Sequence, residues 1–214
     1  MNFFTSDLHQ TDIHDPNYAD IGILLHNMGA TVRVGANLDI RFRYCKPSDF
    51  RISRGAKSFV IENTVSPEEH FDPMHWWRFP RLDIMLPSQE HFQSLRLEAD
   101  HSGLIVSDVS VHTMSLQIID GSCKLNRVMA DETSIHIDSG SIRWHGQPND
   151  ISLDCKNGSA NIHGMPSDFG YDANLRNGHM RLGSRRLWGG SSSEHKTGAP
   201  YAAVTCQNGT VSID

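Results

Sequence analysis

A glycine returns every 18 to 20 residues through the C-terminal half of this chain, each time between two short stretches of alternating apolar residues. Gly121, Gly140, Gly158 and Gly178 are 19, 18 and 20 residues apart, and Gly209 resumes the pattern after 31. Five and three residues before each glycine stand Leu116 and Ile118, Ile135 and Ile137, Leu153 and Cys155, Ala173 and Leu175, Val204 and Cys206. Two and four residues after it stand Cys123 and Leu125, Ile142 and Trp144, Ala160 and Ile162, Met180 and Leu182, Val211 and Ile213. All of these are apolar, and the residues between them are mostly polar. Alternation on both sides of a fixed turn means two strands, each with one buried face.

The residue before each glycine is Asp120, Ser139, Asn157, Asn177 or Asn208, and such pairs favour tight turns because both members tolerate positive φ. A hairpin is the rival local reading. An antiparallel meander, however, has no reason to repeat the same inside and outside assignments at one period, whereas stacked parallel coils do. The expected fold is therefore all-β, a β-solenoid of the parallel β-helix type with coils of about 19 residues. An earlier turn, Leu97 and Ala99 followed by Leu104 and Val106, carries Ser102 in the place of the glycine.

Upstream, the stretch from Ala19 to Tyr44 offers three β-like segments, and Lys57–Asn63 and Arg81–Pro87 read as two more. With no Gly/Ser-rich linker between them and the repeats, residues 19–214 form one domain, its coils running from about 95 to 214, after an N-terminal extension over 1–18 expected to lack fixed order. Hydrophobic content of 38% with only 8% aromatics suits small-residue β structure. A net charge of −6 with no basic stripe argues against nucleic acid. No run of 18 apolar residues is present, so no membrane span is expected. The first residues have neither a basic nor an apolar signal region, which places the chain as given in the cytoplasm, or at the cell surface if a leader has been removed. Cys123, Cys155 and Cys206 fall on inward positions, and Cys45 lies outside the repeats; buried free thiols are expected, with Cys155 and Cys206 more than one coil apart.

The order of these parts resembles the bacterial putative-adhesin family, a domain of unknown function. The resemblance rests on I-G-I-x-x-x-x-x-G-A-T-V-R-V from Ile21 to Val34, L-D-I-M-L-P from Leu82 to Pro87, and L-x-L-E-A-D-H-S-G-L-I-V from Leu95 to Val106. The repeated coils and the closing Y-x-x-V-T-x-Q-N-G-T-V-S-I-D from Tyr201 to Asp214 complete it. The resemblance implies a right-handed β-helix-like stack and an adhesive role, and brings no catalytic residues.

Three sets of residues invite a chemical reading. His70, Asp72 and His75 could ligate a divalent metal, although Pro73 between them leaves no fixed ligand geometry, and no metal or other cofactor is expected. His145 and His163, five residues after successive glycines, should stack in neighbouring coils near outward Asp138, Arg143 and Asp154, the setting a polysaccharide-cleaving β-helix enzyme would use. The excess residues before Gly209 are expected to emerge as a loop, with Arg185, Arg186, Trp188, His195 and Lys196 available to a partner. The expectation is a non-enzymatic interaction or scaffolding module at or near the bacterial cell envelope, its partner an unidentified protein or glycan. The alternatives are a carbohydrate-active β-helix enzyme and a cytoplasmic scaffold that self-associates through terminal coils. The apolar C-terminal strand, Val211 and Ile213, motivates the second, because an uncovered coil exposes unpaired edges.

Overall fold

The computed structural model describes residues 8–11, 18–64, 79–88 and 91–214; of residues 8–11 the backbone alone is described. Among the described residues, seventeen strands form one connected parallel-rich array. They are β1 (Leu8–Thr11), β2 (Asp20–His26), β3 (Gly29–Gly35), β4 (Asp39–Arg43), β5 (Phe50–Arg54), β6 (Ser58–Asn63), β7 (Arg81–Pro87), β8 (Phe92–Asp100) and β9 (Gly103–Ser107). Then β10 (Ser110–Cys155) runs unbroken through several turns, followed by β11 (Ser159–His163), β12 (Gly170–Arg176), β13 (His179–Leu182), β14 (Arg185–Trp188), β15 (Ser191–Lys196), β16 (Tyr201–Cys206) and β17 (Thr210–Ile213).

Each coil contributes one strand to each of two ladders. The first ladder runs β6–β2–β8, through β10, to β16–β12, every pair parallel. The second runs β7–β3–β9, through β10, to β11–β17–β13, again parallel. All twenty apolar positions placed around the glycines are buried, none more than 3% exposed. The expected solenoid is what the chain forms.

The period of the glycines has a steric cause. They stack at the corner between the ladders, where successive coils approach more closely than a side chain allows. A Cβ on Gly121 would sit 2.6 Å from the carbonyl oxygen of Ser102, one on Gly158 2.6 Å from that of Gly140, and one on Gly209 2.5 Å from that of Gly158. Contacts under about 3 Å between such atoms are repulsive, so only hydrogen fits. At the head of the column Ser102 is buried, its hydroxyl donating to the Asp100 carbonyl (2.8 Å) and accepting from the Met28 amide (3.2 Å). The preceding residue turns the corner in the left-handed region at Asn27 (φ 55°), His101 (48°), Asp120 (54°) and Asn177 (62°).

The core between the ladders is continuous from Ile21 to Ile213. Trp144, its largest fully buried side chain, satisfies its indole N–H on the Val128 carbonyl at 3.0 Å. Fully burying one Leu or Ile in such a core stabilises by about 1.5–3 kcal/mol.

Three expectations about the C-terminal end are corrected. The last coil in sequence is not last in space: β16–β17 is threaded between the β10–β11 coil and the β12–β13 coil. Val211 and Ile213 therefore carry no open edge, and the premise for self-association there is gone. The residues before Gly209 are not a loop either. β14 pairs antiparallel with β13 and β15 antiparallel with β12, covering the outermost coil. The threading also brings Cys155 and Cys206 into direct register on adjacent strands, where more than one coil was expected between them. Both are free and buried, as is Cys123, and the hydrogen bond between the pair pushes the Cys155 thiol up.

The N-terminal end has the same build. β2–β3 is threaded between β6–β7 and β8–β9, and β5 and β4 lie antiparallel on the outermost strands β6 and β7. β1, within the expected N-terminal extension, pairs antiparallel with β4 and so belongs to this cap.

Candidate functional site

Alternation leaves three outward rows on the second ladder, and two of them enclose a trough. Its floor is a row of small residues, Gly29, Gly103, Ser122, Ser141, Ser159 and Thr210, in register from coil to coil. The floor ends at Arg81, in register with Gly29 on one side, and at His179 and Trp188 on the other. The adjoining ridge runs Thr31, Ile105, Lys124, Arg143, Asn161 and Ser212, and continues in register to Arg181 and Arg186. The trough encloses about 760 Å³. Seven strands at about 4.8 Å spacing make it roughly 29 Å long.

The small floor follows from the fold. These residues flank the glycine corner, and their hydroxyls form a ladder of donors and acceptors beside the ridge. Lys124 and Arg143, one coil apart, are exposed at the middle of the ridge. Arg181 is more constrained: its Nε donates to Ser212 Oγ at 3.0 Å, and its guanidinium also contacts the Asp214 carboxylate. Beyond the ridge the expected stack of His145 and His163 is present, with ring centroids 4.6 Å apart and planes 5° from parallel; His163 also meets Asp214.

The first ladder carries the opposite balance. Asp138 is paired with Lys156 (3.2 Å), Asp154 with His136 (3.2 Å), Glu98 with Arg96 (3.5 Å) and Asp172 with His195 (2.7 Å). The Asp172 carboxyl is held below the usual carboxylate range by its hydrogen bonds to Tyr201 and then His195. Asp138 and Asp154 thus stand on one face, while Arg143, His145 and His163 stand on the other. The catalytic grouping considered from sequence is divided between two ladders.

The five residues of the expected binding loop are spread over the C-terminal cap. Arg185 binds Glu194 across the two cap strands (Nε to Oε2, 2.7 Å). His195 is tied to Asp172, and the Lys196 ammonium lies 5.8 Å from the Phe169 ring centroid. Arg186 and Trp188 face outward at the end of the trough, Trp188 being 64% exposed with its ring edge-on to His179 at 4.9 Å. His70, Asp72 and His75 lie outside the described residues. A second histidine cluster, overlooked in the sequence, joins His91, His112 and Asp131 at the start of the first-ladder strands, their donor atoms all within 4.8 Å of one another. Among the described residues, no helix is long and apolar enough to cross a membrane.

The chain matches the Toastrack DUF4097 domain over residues 53–213. No curated protein matches it. Among solved structures it is similar to one described as a putative adhesin from Bacteroides fragilis, at 10% identity over 99% of this chain and 98% of that one, with a TM-score of 0.49. It is similar also to a putative cell adhesion protein from Clostridium sporogenes (12% identity, 97% and 99% coverage, TM-score 0.41). A putative adhesin from Parabacteroides distasonis gives 13% identity, 97% and 98% coverage and a TM-score of 0.44. With three quarters of its length matched and the two-ladder stack in place, this chain belongs to the Toastrack DUF4097 family.

Proposed function

We propose that the protein is a non-enzymatic adhesin-like module, acting at or near the bacterial cell envelope, whose second-ladder trough receives an extended acidic glycan. The observation that carries this reading is the sidedness of charge on a chain of net charge −6. Arg81, Lys124, Arg143, Arg181 and Arg186 border one hydroxyl-floored trough, while Glu98, Asp138 and Asp154 on the opposite ladder are paired with Arg96, Lys156 and His136. A linear chain of sugars matches such a trough in length, can exchange hydrogen bonds with the serine ladder, and can place its carboxylates on the ridge. Trp188, at the far end, offers an aromatic face of the kind on which a sugar ring packs. Arg185, His195 and Lys196 contribute by holding the strand that presents Arg186 and Trp188.

The test is affinity chromatography and calorimetry on linear polysaccharides, with polygalacturonate and hyaluronan against neutral dextran. Acidic chains should be retained and dextran should not. The double substitution K124E/R143E should weaken binding by at least about tenfold, the equivalent of about 1.4 kcal/mol. Reversal of Asp154 on the opposite face should leave it unchanged. Point substitutions are required, since deleting Arg186 to Gly198 would remove strands of the cap. Indifference of acidic chains to K124E/R143E, or no retention at all, overturns the reading.

A further inference from the structure

We propose that His91, His112 and Asp131 form a binding site for a divalent transition-metal ion of the zinc class, joining three successive coils at the edge of the first ladder. Val111 is in register with Phe92, so His91 enters one coil, Ser110 and His112 the next, and Asp131, 19 residues after His112, the third. Asp131 Oδ2 lies 2.7 Å from His112 Nδ1 and 3.5 Å from His91 Nε2. The two imidazole rings face each other with centroids 4.0 Å apart.

The unusual member is His91. Among the described residues, its Nε2 is closed off from solvent yet has no hydrogen-bond partner. A buried ring nitrogen that faces a carboxylate oxygen at 3.5 Å without a hydrogen bond costs free energy, and each such case calls for a cause. Its other nitrogen, Nδ1, is 2.6 Å from Ser110 Oγ. If Nδ1–H donates to that hydroxyl, Nε2 keeps its lone pair and points it at Asp131, the tautomer a metal needs, fixed by an outer partner as is usual for ligating histidines. The other exposed His–Asp pairs differ. His136–Asp154 and His195–Asp172 bring one imidazole to a carboxylate, and at Asp100 the two imidazoles address different oxygens. Here two imidazoles converge on one oxygen.

Two imidazole nitrogens and a carboxylate oxygen form a donor set suited to Zn(II), with metal–ligand distances of about 2.0–2.2 Å and donors therefore about 3.4 Å apart in a tetrahedron. The observed separations bracket that value. His112 and Asp131 are half-exposed and can adjust, while Asn149 Nδ2 lies 3.5 Å from the second carboxylate oxygen, Oδ1. Three protein donors leave a fourth position open towards solvent.

The full chain is titrated with Zn(II), and with Co(II) for its visible d–d bands. One ion should bind per chain, with four-coordinate Co(II) intensity, and H112A or D131A should weaken it at least about tenfold. H136A, which removes a histidine held by a single aspartate, should leave the metal affinity unchanged. Long-range imidazole nitrogen spectra of the unmutated protein provide a second readout that needs no variant: Zn(II) should shift His91 Nε2 and His112 Nδ1 together. Tight binding that survives H112A and D131A but is lost in H70A/H75A places the metal elsewhere and overturns the proposal. So does the absence of any shift at His91.

Discussion

The two ends of the stack are built alike, with the chain running through them in opposite order. At the N-terminal end the polypeptide lays down the inner coil β2–β3, then the cap strands β4 and β5, then the outermost coil β6–β7. At the C-terminal end it makes the outermost coil β12–β13, then the cap strands β14 and β15, and finishes on the inner coil β16–β17. Both arrangements answer the same problem: a terminal coil exposes a row of unpaired peptide groups that invites edge-to-edge association. An antiparallel cap covers that row, and its own outer edge carries charge, with Arg51 and Arg54 on β5, Arg185 and Arg186 on β14, and Glu194 to Lys196 on β15.

The ends differ in what holds the cap. At the N-terminal cap Leu38, Ile40, Phe42 and Phe50 are buried, with Phe42 and Phe50 in ring contact at 5.3 Å. At the C-terminal cap only Leu187 of the strand residues is buried, and β15 is exposed or half-exposed throughout. That cap is held by its ladder hydrogen bonds, by Arg185–Glu194 and His195–Asp172, and by the Tyr171 hydroxyl on Glu194 at 3.3 Å. One cap is an extension of the core and the other is a polar sheath.

The threaded order makes the strongest prediction. Ending the chain at Pro200 removes a coil from inside the stack, so β12–β13 and their cap lose their parallel partners. Circular dichroism and limited proteolysis should show loss of structure well beyond the deleted residues. A stable, merely shortened solenoid would break the comparison.

The contrast between caps comes next in size. Phe42→Ala should cost about 3–5 kcal/mol, the usual cost of emptying a buried aromatic site. Leu187→Ala, at the rim of the core, should cost no more than about 2 kcal/mol. Urea denaturation of both variants measures the difference, and equal losses would show that the caps are held in the same way.

The smallest effect is on pH. The folded-state pKa of Asp172 is depressed, so its contribution is present above the ordinary carboxylate value of about 3.9 and is lost as pH falls through the folded value. Protection of the β15 amides, taken relative to their intrinsic exchange, should therefore fall below about pH 4, before that of the β4 amides does. Asp172→Asn should remove that pH dependence; an unaltered profile in the variant would assign it to another group.

Much of this architecture was legible in the sequence because a solenoid writes its period into both its core and its turns. Ile135, Trp144 and Ile162 declare their burial by spacing, and the glycine column declares its corner. Threading was not legible, because alternation is identical whichever two coils a strand lies between. Val211 and Ile213 read the same on an edge or inside. The cap strands β14 and β15 read as loop because an edge strand covering a ladder from outside buries little, and Ser191–Lys196 has almost nothing apolar to alternate. In the trough, Lys124 carries no signal beyond that of an outward polar residue, and Arg143 reads as a neighbour of Asp138 and Asp154; registration instead places both beside Ser122, Ser141 and Ser159. His91 and Ser110, and His112 and Asp131, are each one 19-residue period apart, but the diagonal approach of the His91 ring to the other two is a matter of side-chain direction that the period does not give.

The threading of both termini also constrains how such a protein can change in size. With each end closed by a coil that must be inserted beneath its neighbour, new coils can be accepted only from within, by duplication of the stretch that β10 occupies. Each duplication would lengthen the trough by about 4.8 Å and leave both end assemblies untouched. The stack thus has fixed stops and interchangeable graduations, and the length of its trough is set by the number of coils that β10 threads.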